Sequence, residues 1–360
     1  MGRSKQKISL SDKYLPQEWV DQKPNIKVYL PALDVVCTNM QMVGQLSGGA
    51  STATFVLNDS GNLRVCQFGP PLIADKKIDR FEEKYNPKKF EHALERLRYL
   101  SDNGVAVPKI LSYGEVDVTG NNREYIVMDL VEGIGVNVFI GHNPSRRQEV
   151  YSKLGEALAG LSTVPYCEKQ GSANRHVLDK VRHAGDFLAR KQIISSTQLE
   201  RLMSVLNRKL FILGDRPMSY VHLDPFPTNF LIRSGNKNLN ITLMDVEAIR
   251  GGHQLVEGLG RAVQWGIYDW EYISKTRGKA TNSTIEAFLN GYSKICPEVL
   301  KFLRSNSELS RLLEISQLAS IPQTIMHEMK ENASRFRFDK IELKNTFEWK
   351  KNMLLRLIAK

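Results

Sequence analysis

Cysteine is scarce in this sequence and scattered along it. Cys37, Cys66, Cys167 and Cys296 are its four cysteines, and no Cys-x-x-Cys pair or Cys/His ligand spacing occurs. That excludes a structural zinc site and a disulfide framework, and it suits a reducing compartment. No apolar run approaches membrane-spanning length, so no bilayer crossing is expected. The basic start, Met1 to Lys7, is not followed by an apolar stretch of signal-peptide length, and a soluble, cytoplasmic protein is the expectation. Gln6 stands where a myristoylation pattern wants Ser or Thr, which removes that lipid anchor. Internal repeats and low-complexity tracts are also lacking.

Acidic residues are outnumbered. Lys and Arg total 50 against 39 Asp and Glu, a net charge of +11. A basic surplus attracts phosphates, nucleic acid or anionic surfaces. Here it is spread widely, with some concentration at Arg335, Arg337, Lys340, Lys344, Lys350, Lys351, Arg356 and Lys360. Phe336, Phe338, Phe347 and Trp349 interleave with these cations, yet a solvated helix over a core uses the same residues, and nucleic acid is disfavoured as a partner. The surplus also disfavours a polycationic ligand. The 360 residues and 42% apolar content suffice for one large or two modest domains.

The most informative stretch is Val221-His222-Leu223-Asp224-Pro225-Phe226-Pro227-Thr228-Asn229-Phe230-Leu231-Ile232, followed by Ile241-Thr242-Leu243-Met244-Asp245. Two prolines keep the Asp224–Asn229 segment out of a helix interior. The apolar runs Phe230–Ile232 and Ile241–Met244 read as strands joined by a polar turn over 233–240. Asn229 and Asp245 would then start one strand and end the next, side by side, as hard oxygen ligands for a cation such as magnesium. Transfer of the terminal phosphoryl group of ATP needs this trio: a carboxylate to take the hydroxyl proton, and an amide and a second carboxylate to hold magnesium. Upstream, Met42–Leu46, Thr52–Leu57 and Leu63–Phe68 read as strands. Between the first two lies a loop of small residues, Ser47, Gly48, Gly49, Ala50 and Ser51, over which backbone N–H groups can approach a triphosphate closely. Phe90, Ala93, Leu94, Leu97 and Leu100 mark one helix face. Strands are expected over 109–113 and 124–130. Helices are expected over 150–161, 258–272, 285–295 and 309–328, the last kinked or split by Pro322, with a helical pair or hairpin over 178–207. Residues 1–35 read as an extended lead-in.

The Asp224/Asn229 loop, the Asp245-Val246-Glu247 strand end and the Leu46–Ser51 loop resemble the aminoglycoside phosphotransferase and choline kinase group, over roughly residues 40 to 270. The resemblance implies an α+β, two-lobed protein-kinase-like fold, with a small antiparallel β-rich N-lobe and a larger, mainly helical C-lobe. The implied organisation is 1–35 lead-in, 36–132 nucleotide-binding N-lobe and 133–360 catalytic, substrate-binding C-lobe. It further implies Asp224 as catalytic base, with His222 bracing the loop or acting beside it. Asn229 and Asp245 would hold Mg2+, and Met128, Asp129 and Val131 would form an adenine-binding hinge. Glu257 falls where relatives place an Asp that pins the loop, and Ser162 where a His is common. The group's third strand ends in a phosphate-pairing Lys or Arg, but Gln67 occupies that position here; it can hydrogen-bond a phosphate without supplying charge, so the loss is tolerated, met by Lys76, Lys77 or Arg80, or accompanied by lost catalysis.

The expected activity is ATP-dependent phosphorylation of a small-molecule hydroxyl, with GTP as a possible donor. The acceptor (antibiotic, sugar, amino alcohol or biosynthetic intermediate) and the oligomeric state stay open. Gln67 motivates an alternative, a catalytically impaired pseudokinase or nucleotide-binding module. A kinase acting on protein or RNA is a third reading, but Asp-Phe-Gly and Ala-Pro-Glu signatures are missing, which disfavours protein substrates.

Overall fold

The computed structural model describes residues 26–46, 53–71, 89–167, 171–234, 238–269, 281–302, 305–334 and 341–359. The chain divides into two compact units, one of residues 1–134, 231–237 and 242–247, the other of 135–230, 238–241 and 248–360.

The first unit is built on an antiparallel sheet in the order β1-β2-β3-β5-β4. Its strands are β1 (Gln41–Leu46), β2 (Ala53–Asp59), β3 (Asn62–Pro71), β4 (Ile110–Val118) and β5 (Asn121–Asp129). Two tight hairpins set its register. In the β2–β3 turn, Ser60 and Gly61 take φ of 52° and 96°, and the Asn58 side chain accepts the Gly61 N–H at 2.8 Å. Thr119 and Gly120 do the same between β4 and β5 at 53° and 82°, with Asp117 accepting the Gly120 N–H at 2.9 Å. Positive φ at both central positions matches the twist of paired strands.

Both faces of this sheet are covered. On one, Tyr29, Leu33 and Cys37 of helix α1 (Ile26–Val36, with Cys37 just past its end) pack on Phe55, Leu57, Cys66, Phe68 and Val127. On the other, Leu94 and Leu97 of α2 (Lys89–Asp102) pack on Val65, Ile110, Ile126 and Met128. Burying each large apolar side chain contributes about 1.5–3 kcal/mol. Helix α1 overturns the expectation of an extended lead-in over residues 26–35; residues 1–25 lie outside the described residues. Pro31 lies within it and obscures its periodicity, while the buried Tyr29–Leu33–Cys37 face supplies the tertiary support that sequence propensity does not reveal.

The second unit is mainly helical: α3 (Val136–His142), α4 (Arg147–Thr163), α5 (Ala173–Arg190), α6 (Ser196–Leu213), α7 (Thr281–Ile295), α8 (Asn306–Ser334) and α9 (Ile341–Ala359). Ser172 caps α5, accepting the Arg175 N–H, and Ser195 with Gln198 forms a reciprocal capping box on α6, each satisfying donors left over at a helix start. Helices α4 and α7 approach through glycine: a Cβ on Gly291 would lie 1.8 Å from the Ser152 carbonyl oxygen, and one on Gly155 2.2 Å from that of Phe288. Helix α8 continues through Pro322 without being split. The buried face of Leu318, Ile321 and Ile325 holds it against the loss of about 3 kcal/mol that an interior proline brings. Among the described residues, no helix is long and apolar enough to cross a membrane.

Short strands complete the chain. Strands β6 (Ile134–Gly135), β8 (Phe230–Ser234) and β9 (Leu239–Leu243) form a small sheet in the order β6-β8-β9, and β7 (Ser219–His222) pairs with β10 (Ile249–Gly252). The expected β8–β9 hairpin is therefore present; residues 235–237 of its turn lie outside the described residues.

Candidate active site

The loop of Asp224 is carried by β7. Buried Tyr220 and Val221 anchor that strand, which pairs antiparallel with β10, His222 facing Ile249 and Tyr220 facing Gly251. The pairing extends one step further, with the Leu223 N–H donating to the Ala248 carbonyl at 2.8 Å. Pro225 and Pro227 then force the chain out of regular structure. A single helical turn, Pro227–Asn229, begins with proline, where no N–H is needed.

Within this loop the side chains of Asp224 and Asn229 lock together. The Asn229 Nδ2 donates to the Asp224 carbonyl at 2.8 Å and to its carboxylate Oδ2 at 2.8 Å. Both amide protons thus have acceptors, which fixes the amide orientation and turns Oδ1 away as a hard oxygen donor. His222 is 1% exposed, and its Nδ1 accepts the Asp224 N–H at 3.3 Å. Its ring packs on Phe230 at 5.2 Å between centroids. That is the environment of a brace for the loop.

A second layer supports the β7–β10 pair. Just after β10 the chain runs through three consecutive helical segments, Gln254–Gly260, Arg261–Val263 and Gln264–Asp269. Fully buried His253 caps the first, its Nδ1 accepting the Leu255 N–H at 3.2 Å. The Glu257 carboxylate reaches back to the His253 N–H at 3.0 Å and takes Lys180 of α5 at 3.0 Å on its other oxygen. Burial alone would raise the Glu257 carboxyl, but Lys180, the His253 N–H and the field of His176 bring it down to about 2. Burial lowers the His253 imidazole from 6.5 to about 4, with Arg216 acting in the same sense and Glu257 and Asp215 opposing it. Ser162 is buried, donating to the Leu158 carbonyl and accepting from Tyr292 at 3.3 Å, so its hydroxyl links α4 to α7.

This layer makes stability sensitive to acid. The unfolded chain takes up the His253 proton near pH 6.5 and the folded chain only near pH 4. Stability from this group is therefore complete above pH 6.5 and lost as pH falls toward 4, by about 3 kcal/mol. The Glu257 contribution is lost lower, as pH falls from about 4.5 through about 2. The variant His253→Asn keeps a capping oxygen without the titration. It is expected to flatten the decline in urea midpoint between pH 7 and pH 4 that the unsubstituted protein shows.

In the first unit, Gln67 sits on β3 opposite Thr54 and Ile126. Its neighbour at alternate position, Val65, packs against α2, which places Gln67 on the α2 face of the sheet. Arg64 lies an odd number of positions away, on the opposite face, and its guanidinium pairs with the Asp129 carboxylate and lies 3.6 Å from Asp59. Gln67 is thus not supplemented by Arg64. Lys76, Lys77 and Arg80 lie outside the described residues, as do Ser47, Gly48, Gly49, Ala50 and Ser51. Met128 packs in the α2 core. The Asp129 N–H donates to the Lys109 carbonyl at 2.9 Å and the Leu130 N–H to that of Leu63 at 3.1 Å, so the segment continuing to Val131 leaves β5 with two donors already engaged.

Asp245 closes the β9 segment with φ of 47°, a left-handed conformation that Asp tolerates better than most residues. Its side chain is exposed, whereas the next residue, Val246, is buried beneath α2 with Leu94 and Leu97. Backbone strain of this kind concentrates at functional positions.

One group was not foreseen from the sequence. Arg261 is 7% exposed, and its guanidinium lies 4.1 Å from the Trp265 ring centroid. Trp265 in turn stacks on Phe226, at 5.9 Å and 24°. Neither spacing nor composition distinguishes this arginine from the other cations.

Comparison with known proteins agrees with this architecture. The profile of the phosphotransferase enzyme family (APH) matches residues 43–240. Among solved structures, a candidate aminoglycoside phosphotransferase of Ralstonia eutropha JMP134 is similar at 15% identity, with a TM-score of 0.62, covering 93% of this chain and 97% of that one. The ternary complex of a thermostable aminoglycoside phosphotransferase APH(4)-Ia variant with AMP-PNP and hygromycin B aligns at 12% identity and a TM-score of 0.58, covering 91% and 97%. A microcompartment-associated aminopropanol kinase aligns at 18% identity and a TM-score of 0.54, covering 93% and 94%. No curated protein sequence matches. These structures share the two-lobed, protein-kinase-like α+β fold. With more than half of its length matched by the family profile, the chain belongs to the phosphotransferase enzyme family.

Proposed function

We propose that this protein transfers the γ-phosphoryl group of ATP to the hydroxyl of a small molecule. The observation that carries this reading is the Asp224–Asn229 lock, in which two 2.8 Å bonds fix the amide and present its oxygen. In this reading Asp224 orients the acceptor hydroxyl and takes its proton late in transfer, so a carboxylate of ordinary basicity suffices. Asn229 and Asp245 are the magnesium ligands, suited by hard oxygen donors and, at Asp245, by an exposed carboxylate on constrained backbone. Bound magnesium would neutralise charge on the phosphate oxygens. His222 holds the loop. The AMP-PNP and hygromycin B held by one structural relative support a nucleotide and a small-molecule acceptor here.

The test is ADP release measured with MgATP against a panel of hydroxyl acceptors. Acceptor-stimulated release is expected, and it should vanish when EDTA removes the divalent ion. Gln67 favours a second reading, a nucleotide-binding module with weakened catalysis, since a neutral amide supplies no charge to a triphosphate. Nucleotide binding without release toward any acceptor would favour that reading.

A further inference from the structure

Arg261 is a buried cation that the support of the loop does not use. Both oxygens of Glu257 are taken, by Lys180 at 3.0 Å and by the His253 N–H at 3.0 Å. The Asp224 Oδ2 takes the Asn229 amide at 2.8 Å. Among the described residues no acceptor hydrogen-bonds the Arg261 guanidinium, and its Nε is buried without a partner. The ring of Trp265 covers one of its faces. Burial lowers the Arg261 guanidinium from its usual range, and the fields of Glu257 and Asp224 oppose that shift. A guanidinium carries five N–H donors in a planar fork, and leaving a buried one unmet, as at Nε, is unfavourable. Phe226 and Trp265, which stack beside it, are both partly exposed, and so is Asp224, two residues before Phe226. The field of Asp224 reaches the guanidinium, so this cation lies within electrostatic range of the residue assigned to the acceptor hydroxyl.

Resting on the kinase reading above, we propose that Arg261 recognises an anionic group of the acceptor, so that the substrate is a hydroxy compound bearing a carboxylate or phosphate. The guanidinium fork matches either group with two parallel hydrogen bonds. The aromatic pair would cover the carbon skeleton between the anion and the reacting hydroxyl. The chain's net charge of +11 steers such a substrate inward and a polycation away.

The experiment compares D-glycerate and glycerol 3-phosphate with neutral glycerol and cationic ethanolamine. ADP release and thermal melting are both read with saturating MgATP or Mg-AMP-PNP. The proteins are wild type, Arg261→Gln and Arg261→Lys. The expected result is stimulation by an anionic compound, with KM raised at least about tenfold in R261Q, kcat within about threefold, and R261K intermediate, as lost ground-state binding requires. Turnover of the neutral or cationic compounds with KM unchanged in R261Q overturns the proposal and leaves the kinase reading intact. Stabilisation of wild type, but not R261Q, by an anionic compound without any ADP release sustains the anion site and defeats the kinase reading. Melting and turnover both indifferent to the anionic compounds overturn the proposal.

Discussion

Replacing Asp224 with Asn is expected to lower kcat for phosphoryl transfer by about 10³-fold, within the range associated with a positioned acid or base. That corresponds to about 4 kcal/mol of barrier. The variant discriminates well because it preserves shape. An asparagine oxygen at 224 can still accept from the Asn229 Nδ2, which now donates to Oδ2 at 2.8 Å, and the Asp224 N–H bond to the His222 Nδ1 does not involve the side chain. The loop should keep its conformation while losing the group that accepts a proton. Calorimetric affinity for MgATP should change by no more than a few-fold, since no nucleotide contact is assigned to Asp224. Steady-state rates equal to wild type would remove Asp224 from the chemistry altogether.

The substitution Gly291→Ala should give the largest loss of stability. A Cβ there would sit 1.8 Å from the Ser152 carbonyl oxygen and 2.6 Å from its carbonyl carbon. Both are backbone atoms in the middle of α4, so no side-chain rotation relieves the overlap, and the two helices must separate. Overpacking of this kind costs about 3 kcal/mol, or roughly 6–12 °C in melting temperature for a unit of this size. The buried pair Phe288 and Tyr292 flanks the contact and would lose packing as the helices part. Circular dichroism melting of the variant measures the effect. A shift of less than about 2 °C would mean that α4 and α7 do not cross this closely.

Much of the architecture could be read from local pattern. The strands over 41–46, 53–59 and 62–71, helices α2, α4, α5 and α6, and the β8–β9 hairpin all carry periodicity, turn residues or caps close to where they form. The Asp224–Asn229 loop was legible because two prolines keep it out of a helix interior and its Asp/Asn spacing resembles a known catalytic loop. What stayed hidden depends on contacts distant in sequence. Helix α1 exists because Tyr29 and Leu33 find Phe55 and Phe68. The closeness of α4 and α7 rests on Gly155 and Gly291, which resemble any helical glycine when read singly. Pro322 suggested a break because its local penalty is visible and the buried face that offsets it is not. Arg261 is the same problem at the site: its burial and its unpartnered Nε are set by the fold around it, not by residue type.

The burial of Val246 beneath α2 has a bearing on Asp245. A residue exposed to solvent is usually free to drift by an ångström or more, but here the adjoining Val246 side chain is buried in one cluster with Leu94 and Leu97. The place of the carboxylate is therefore set by the packing between helix and sheet as well as by its own loop. Trimming a methyl group from that helix, far from any ligand, would loosen the calibration of the acidic side chain as surely as altering the loop itself.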